Sequence, residues 1–238
     1  MRNLKVLIII PAYNEQDNIL NTVRKVLEYR NQCDFRLDYI VINDGSKDDT
    51  YNICRQNKIR CVNLIQNLGI GGAVQTGYKL ANILDYDIAV QFDGDGQHDI
   101  NSLNELITPI SNGEADFVVG SRFVGDNNGF QSTAMRRFGI KILSFTLKLF
   151  AKIDVLDCTS GYRAASREVL RALAEDYPVD YPEPESLVHI AKGGYRIKEV
   201  PVNMFDRNCG KSSIAAWKSV YYMVKVTLAI IISSFQRR

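Results

Sequence analysis

The run Leu4-Lys5-Val6-Leu7-Ile8-Ile9-Ile10 constrains the fold more than any other stretch. It is apolar on consecutive residues, so it reads as a strand covered on both faces, and such strands belong to parallel sheets flanked by helices. Pro11 has no N–H to give a ladder and is expected to end this strand. Pro11-Ala12-Tyr13-Asn14-Glu15 then becomes a loop at the strand's carboxyl end. The pattern recurs along the chain. Ile19, Leu20, Val23, Val26 and Leu27 have helical spacing. Asp38 to Asn43 reads as a strand left through Asp44-Gly45-Ser46, and Asp48 and Asp49 suit the helix start that follows. Arg60 to Ile65 is a third strand, and a glycine-rich segment from Gly69 opens a helix running to about Leu84. Asp87 to Phe92 is a fourth strand, Asn101 to Ser111 a helix, and Phe117-Val118-Val119 a strand ending at Gly120-Ser121-Arg122. This β-α alternation predicts an α/β fold with a Rossmann-like, mostly parallel sheet. Ligands of such sheets bind outside the carboxyl ends of the strands, so Asn14, Glu15, Asp44, Asp93, Asp95 and Arg122 are expected in one crevice.

The fourth strand delivers Asp93-Gly94-Asp95-Gly96-Gln97-His98. Two carboxylates one residue apart at a strand end suit one hard cation, and the glycines beside them allow tight turns and close approach of a ligand. Mg2+ or Mn2+ takes oxygen ligands and leaves positions for water or substrate phosphates. The residues alone equally allow a polar turn whose aspartates cap the next helix. Gly69-Ile70-Gly71-Gly72-Ala73-Val74 is not a dinucleotide fingerprint, because Val74 stands where G-x-G-x-x-G/A requires a small last residue.

A chain of 238 residues with 46% hydrophobic and 24% charged residues accommodates one large domain. A net charge of +2 argues against a nucleic-acid partner held by bulk charge. The charge is uneven: Arg122 to Arg171 holds nine Lys/Arg against four Asp/Glu, and no acid follows Asp206. Such asymmetry suits an anionic partner such as a membrane surface. The five cysteines include no C-x-x-C pair and read as reduced thiols of a cytosolic protein. The start of the chain lacks a signal-peptide pattern, and no stretch approaches the roughly 20 apolar residues of a bilayer span.

The second half adds two amphipathic stretches. Met135 to Ile153 sets Phe138, Ile142, Phe145, Leu149 and Ile153 on one side among Arg136, Arg137, Lys141, Lys148 and Lys152. It suits either a membrane interface or packing on the sheet. Ile214 to Phe235 reads as one helix, apolar from Val226 onward, for which embedding in an interface is the preferred reading. The expected division is therefore a catalytic unit at 1–213 and a membrane-associated helix at 214–238. Between these stretches come the turn Asp157 to Arg163, the acidic Tyr181-Pro182-Glu183-Pro184-Glu185, a strand from Tyr195 to Met204, and the basic loop Arg207 to Ser213.

Taken in order, Pro11 to Glu15, Asn43-Asp44-Gly45-Ser46, Asn67-Leu68-Gly69, Asp93 to His98 and Gly120-Ser121-Arg122 resemble the family 2 inverting glycosyltransferases with the GT-A fold. Asp157 to Arg163, with Arg207 and Gly210-Lys211-Ser212, resembles the polyprenyl-phosphate branch typified by dolichyl-phosphate mannose synthase. The resemblance implies a donor site for a nucleotide sugar at Pro11, Tyr13, Asn14, Glu15, Asp44, Gly69, Asp93, Gly94, Arg207 and Lys211. It implies Mg2+ or Mn2+ on Asp93, Asp95 and Gln97, and catalytic roles for Asp93, Asp95 and Arg122. For the acceptor phosphate it points to Arg122, Arg136, Arg137 and Ser160. Asn43 departs from relatives with an aspartate there, and a Q-x-x-R-W motif of processive synthases is lacking. The expected reaction moves a hexose-type sugar, UDP-linked, to polyprenyl phosphate at the cytoplasmic face of the membrane. A small membrane-anchor protein is an expected partner. The competing readings are transfer to a sugar hydroxyl, with Glu183 or Glu185 as base, and a non-catalytic nucleotide-sugar-binding subunit.

Overall fold

A computed structural model describes residues 4–125, 134–205 and 216–235. In chain order the elements are β1 (Lys5–Ala12), α1 (Ile19–Arg30), β2 (Arg36–Asn43), α2 (Thr50–Gln56), β3 (Cys61–Asn63), α3 (Gly69–Ile83), β4 (Ile88–Gln91), α4 (Leu103–Ser111) and β5 (Phe117–Ser121). There follow α5 (Ala134–Thr146), which runs on as a π-helical turn at Leu147–Ala151, then β6 (Arg163–Ser166), α6 (Arg167–Glu175), α7 (Pro182–Lys192), β7 (Ile197–Pro201) and α8 (Ala216–Phe235).

The strands form one seven-stranded sheet in the order β3-β2-β1-β4-β6-β5-β7. Every pairing is parallel except those of β6, which runs antiparallel to both β4 and β5. The chain steps outward from β1 through β2 to β3, then returns to place β4 on β1's other side. That reversal opens a crevice at the carboxyl ends of β1, β2 and β4, where a doubly wound sheet binds its ligands.

β1 is longer than the sequence suggested. Pro11 and Ala12 stay in register with Ile42 and Asn43 of β2. Pro11 is tolerated because its nitrogen faces β4 beyond the last paired residue, Ile9 opposite Gln91. Its carbonyl still accepts from the Gly94 amide at 3.2 Å. β6 was not foreseen: Arg-Ala-Ala-Ser carries no β-branched residue and is too short to show a period. Pro182 and Pro184 sit inside the first turn of α7, where helix N–H groups lack intrahelical acceptors anyway.

Alternation along the strands builds two cores. Val6, Ile8, Ile10, Ile88, Val90 and Val118 face α1 and α4, while Leu7, Ile9, Ala89, Phe117 and Val119 face α3, α5, α6, α7 and α8. On the second side, α5 and its π turn bury Ile140, Leu143 and Leu147. Phe138, Ile142, Phe145 and Leu149, the stripe marked in the sequence, are exposed instead, and Ile153 alone of that stripe is buried. α8 behaves likewise, with Val226 and Ile230 in the core and Val224, Leu228, Ile232 and Phe235 outside. Among the described residues no helix is long and apolar enough to cross a membrane.

Candidate active site

The loops after β1 and β2 are bonded to each other. Asn14, held at φ 56°, donates its amide to Ser46 Oγ and accepts from the Lys47 amide with its side chain. The Glu15 amide donates to Thr50 Oγ1 at 2.8 Å and the Gln16 amide to Asp48 Oδ2 at 3.1 Å. Asn14 thus serves first as a clamp between loops, while Tyr13 beside it is exposed. Asn43 is buried, donating to Asn63 and accepting from Ser46.

Asp44 is also buried, and its Oδ1 accepts from the Leu68 amide at 2.7 Å. Burial raises its pKa against the opposing pull of the Leu68 and Gly69 amides. The carboxylate therefore fixes the start of α3 at the crevice, next to Gly69. Gly45 makes this approach possible, since a Cβ there would come within 2.8 Å of the Asn67 nitrogen.

At the end of β4, Gln91 Nε2 donates to Asp93 Oδ1 at 3.1 Å. Gly94 packs against Pro11, whose carbonyl oxygen would lie 2.9 Å from an added Cβ. Asp95 is buried and accepts from the Gln97 amide at 3.1 Å. His98 accepts the Asp93 amide on Nδ1 at 3.0 Å, stacks on Tyr162 at 4.7 Å and meets Phe92 edge-on. Burial holds its pKa below the usual histidine value, against the charges of Asp93 and Asp95. His98, which closes the acidic run in the sequence, is here the packed underside of the turn.

Residues 203–205 run alongside this turn. The Asp99 amide reaches the Asn203 carbonyl, His98 bridges to Met204, and the Phe205 amide donates to the Gln97 carbonyl at 2.8 Å. The chain therefore leaves Phe205 beside the carboxylate pair; Arg207 and Lys211 themselves lie outside the described residues.

Arg122, just past β5, forms a two-pronged ion pair with Asp157, Nε to Oδ2 and Nη2 to Oδ1, both at 2.7 Å. Both side chains are buried, and both act electrostatically on His98, which ties them to the acidic turn. Ser160 is buried as well, its hydroxyl accepting the Tyr162 amide at 3.3 Å. Arg137 is exposed on α5, and the side chain of Arg136 lies outside the described residues.

Arg163 and Gly161 carried no role in the sequence reading, whereas Glu183 and Glu185 were candidate bases. Arg163, fully buried, donates to the carbonyls of Ser160, Cys158 and Glu183 and to Ser186 Oγ. It stands opposite Gln91 across β4 and β6 and so links the Asp157–Arg163 turn, α7 and the end of β4. Gly161 lies against Asp93. Glu183 is half-buried, and burial together with the Asp93 charge raises its pKa while Arg163 opposes. Glu185 points elsewhere, accepting from Ser233 of α8. The Ser-Gly-Tyr-Arg run marks an arginine after a glycine turn, but neither its burial nor its partners are legible there.

The residues present fit a divalent cation. Asp93 is about one-third exposed, and only a glycine at 161 leaves room beside its Oδ2. Among the described residues no three His, Cys, Asp or Glu side chains converge as a cage. Two carboxylates completed by substrate oxygens and water are what Mg2+ or Mn2+ needs.

The fold is that of the GT-A glycosyltransferases, and the chain belongs to glycosyl transferase family 2, whose model matches residues 7–174. It is a glycosyltransferase. It is 34% identical over 221 residues, 85% of this chain and 86% of the relative, to a UDP-N-acetylglucosamine–dolichyl-phosphate N-acetylglucosaminyltransferase of Methanococcus voltae. It is 27% identical to a polyprenol monophosphomannose synthase of Mycolicibacterium smegmatis, over 93% of this chain and 85% of that one. Among solved structures it superposes on glucosyl-3-phosphoglycerate synthase from Mycobacterium tuberculosis, in complex with Mn2+, UDP and phosphoglyceric acid, with a TM-score of 0.71. That likeness covers 99% of this chain and 80% of the other at 19% identity, and it establishes the fold.

Proposed function

We propose that this enzyme transfers a hexose-type sugar from a UDP-linked donor to polyprenyl phosphate, with inversion at the anomeric carbon. The carrying observation is the position of Asp93 and Asp95, at the strand end where the sheet order reverses, beside the segment that leads into Arg207 and Lys211. The named activities of the relatives, which use dolichyl phosphate or polyprenol phosphate, support the acceptor. The nucleoside end of the donor lies along Pro11, Tyr13 and Asp44, with Gly69 at the start of α3 and Gly94 allowing close approach.

Asp93 and Asp95, with Gln97, hold the divalent cation, Mg2+ or Mn2+, which when bound supplies charge neutralisation for the leaving diphosphate. Arg122, oriented by Asp157, offers fixed positive charge to the acceptor phosphate, and Arg207 and Lys211 are the cations that the family resemblance assigns to the donor phosphates. Arg136, Arg137 and Ser160 are the remaining candidates for the acceptor phosphate. A phosphate is already anionic near neutral pH, so it attacks without a general base. The lipid acceptor places the enzyme at a membrane surface as a peripheral protein.

A second reading, transfer to a sugar hydroxyl, is favoured by one observation. Glu183 sits near Asp93 with a raised pKa, and such a carboxylate is suited to take a proton. Label transfer from a panel of radioactive nucleotide sugars into undecaprenyl phosphate, with and without Mn2+, decides between them. Metal-dependent label in the lipid phosphate that is lost in Asp93→Asn/Asp95→Asn is the expected result. Label accepted only by oligosaccharides overturns the first reading.

A further inference from the structure

Glu199 lies on β7, separated from β4 by two strands, and strand alternation turns it to the α5 side with Ile197. Its two carboxylate oxygens accept from consecutive backbone amides: Oε2 from Leu156 at 2.8 Å and Oε1 from Asp157 at 2.7 Å. Its neighbours on the strand do surface work, Lys198 pairing with Glu114 and Arg196 with Asp116. One carboxylate gripping two successive N–H groups fixes both position and rotation of that peptide unit. The residue so fixed is Asp157, wholly buried, whose carboxylate takes three bonds from Arg122: the backbone amide at 3.1 Å, Nε and Nη2.

We infer that Glu199 is a positioning residue for the acceptor phosphate: it sets Asp157, and Asp157 sets the guanidinium of Arg122. This rests on the reading of Arg122 as a phosphate-facing group. The chemistry of the link is specific. Both amides need acceptors, and a carboxylate offers two, whereas a glutamine offers one oxygen and turns an NH2 toward the other donor. Charge-assisted bonds of this kind are roughly twice as strong as neutral ones. A guanidinium moved by about 1 Å loses a large part of its effect on a reacting group.

The test compares wild type, Glu199→Gln and Glu199→Asp in transfer to a short-chain polyprenyl phosphate, alongside hydrogen exchange of the Leu156 and Asp157 amides. In Glu199→Gln the acceptor KM is expected to rise about tenfold, with the donor KM within about twofold. Exchange at the two amides rises in parallel, and Glu199→Asp recovers part of both. Placed in an Arg122→Ala background, Glu199→Gln adds less than about twofold, because both act through one group. Unchanged acceptor KM despite faster exchange overturns the positioning role, as does equal loss of donor and acceptor parameters. No transfer to polyprenyl phosphate by wild type strikes the acceptor reading instead, and a rise in exchange still shows that Glu199 holds the loop.

Discussion

A Cβ on Gly161 would stand 2.7 Å from Oδ2 of Asp93 and 3.0 Å from Nε2 of Gln91. The glycine in the Ser160-Gly161-Tyr162 turn is therefore what lets this turn close over the end of β4. Gly161→Ala is expected to push Asp93 off its present position. Transfer should fall about tenfold or more, with Mn2+ dependence shifted to higher concentrations. Metal titration of activity checks this, and an unshifted titration with normal turnover contradicts the steric account.

Arg163 ties three carbonyls and a hydroxyl from two separate segments, all in the interior. Removing it takes a donor from each of those acceptors, of which the Glu183 carbonyl keeps the Ser186 hydroxyl, and cuts the link between the Asp157 turn and α7. Arg163→Met is expected to destabilise the fold by roughly 3 kcal/mol or more. Chemical denaturation measures it directly. A loss under about 1 kcal/mol would show that the carbonyls find other donors.

Glu183 gives a pH signature. Its folded pKa is raised, by burial first and then by Asp93. A carboxyl raised on folding adds stability below its unfolded pKa, and that increment is lost as pH rises through the folded value. Glu183→Gln has no such titration. Its melting temperature relative to wild type should therefore improve between pH 4 and pH 7. A difference that is flat with pH, or that moves the other way, refutes the shift.

Much of this architecture was legible because parallel strands buried on both faces announce themselves as unbroken apolar runs. β1, β2, β4 and β5 and the helices α1, α3 and α4 fall where the sequence pattern put them. β6 escaped because four buried residues, an arginine followed by three small side chains, satisfy no period, and its antiparallel insertion depends on β4 and β5 as neighbours. The same limit applies at the site. Asp44, Asp93, Asp95 and Arg122 stand at strand ends, where local sequence marks them. Arg163, Gly161 and Glu199 act through contacts that β6 and β7 make with distant strands, and no local pattern records such contacts. The basic stripe on α5 shows a third case. Helical spacing located the apolar ladder, but spacing alone left open whether protein or membrane covers it.

That ladder has a consequence for where the enzyme works. Phe138, Ile142, Phe145 and Leu149 stand outside on α5 and its π turn, and Val224, Leu228, Ile232 and Phe235 stand outside on α8. Phe150 and Phe235 touch at 6.1 Å between ring centres, so the two ladders form one apolar surface. Exposed Arg137, Lys141, Lys148 and Lys152 border it. An apolar face edged by lysine and arginine suits an anionic bilayer, entered as far as the side chains reach. Phe145→Glu/Leu228→Glu removes two apolar anchors and adds two charges, costing roughly 3 kcal/mol or more of partitioning, about a hundredfold. Flotation with phosphatidylglycerol vesicles should show wild type bound and the variant released, while transfer to a water-soluble short-chain acceptor persists. Equal binding of both proteins would mean that the face meets a protein, such as a small membrane anchor or a second copy, rather than lipid.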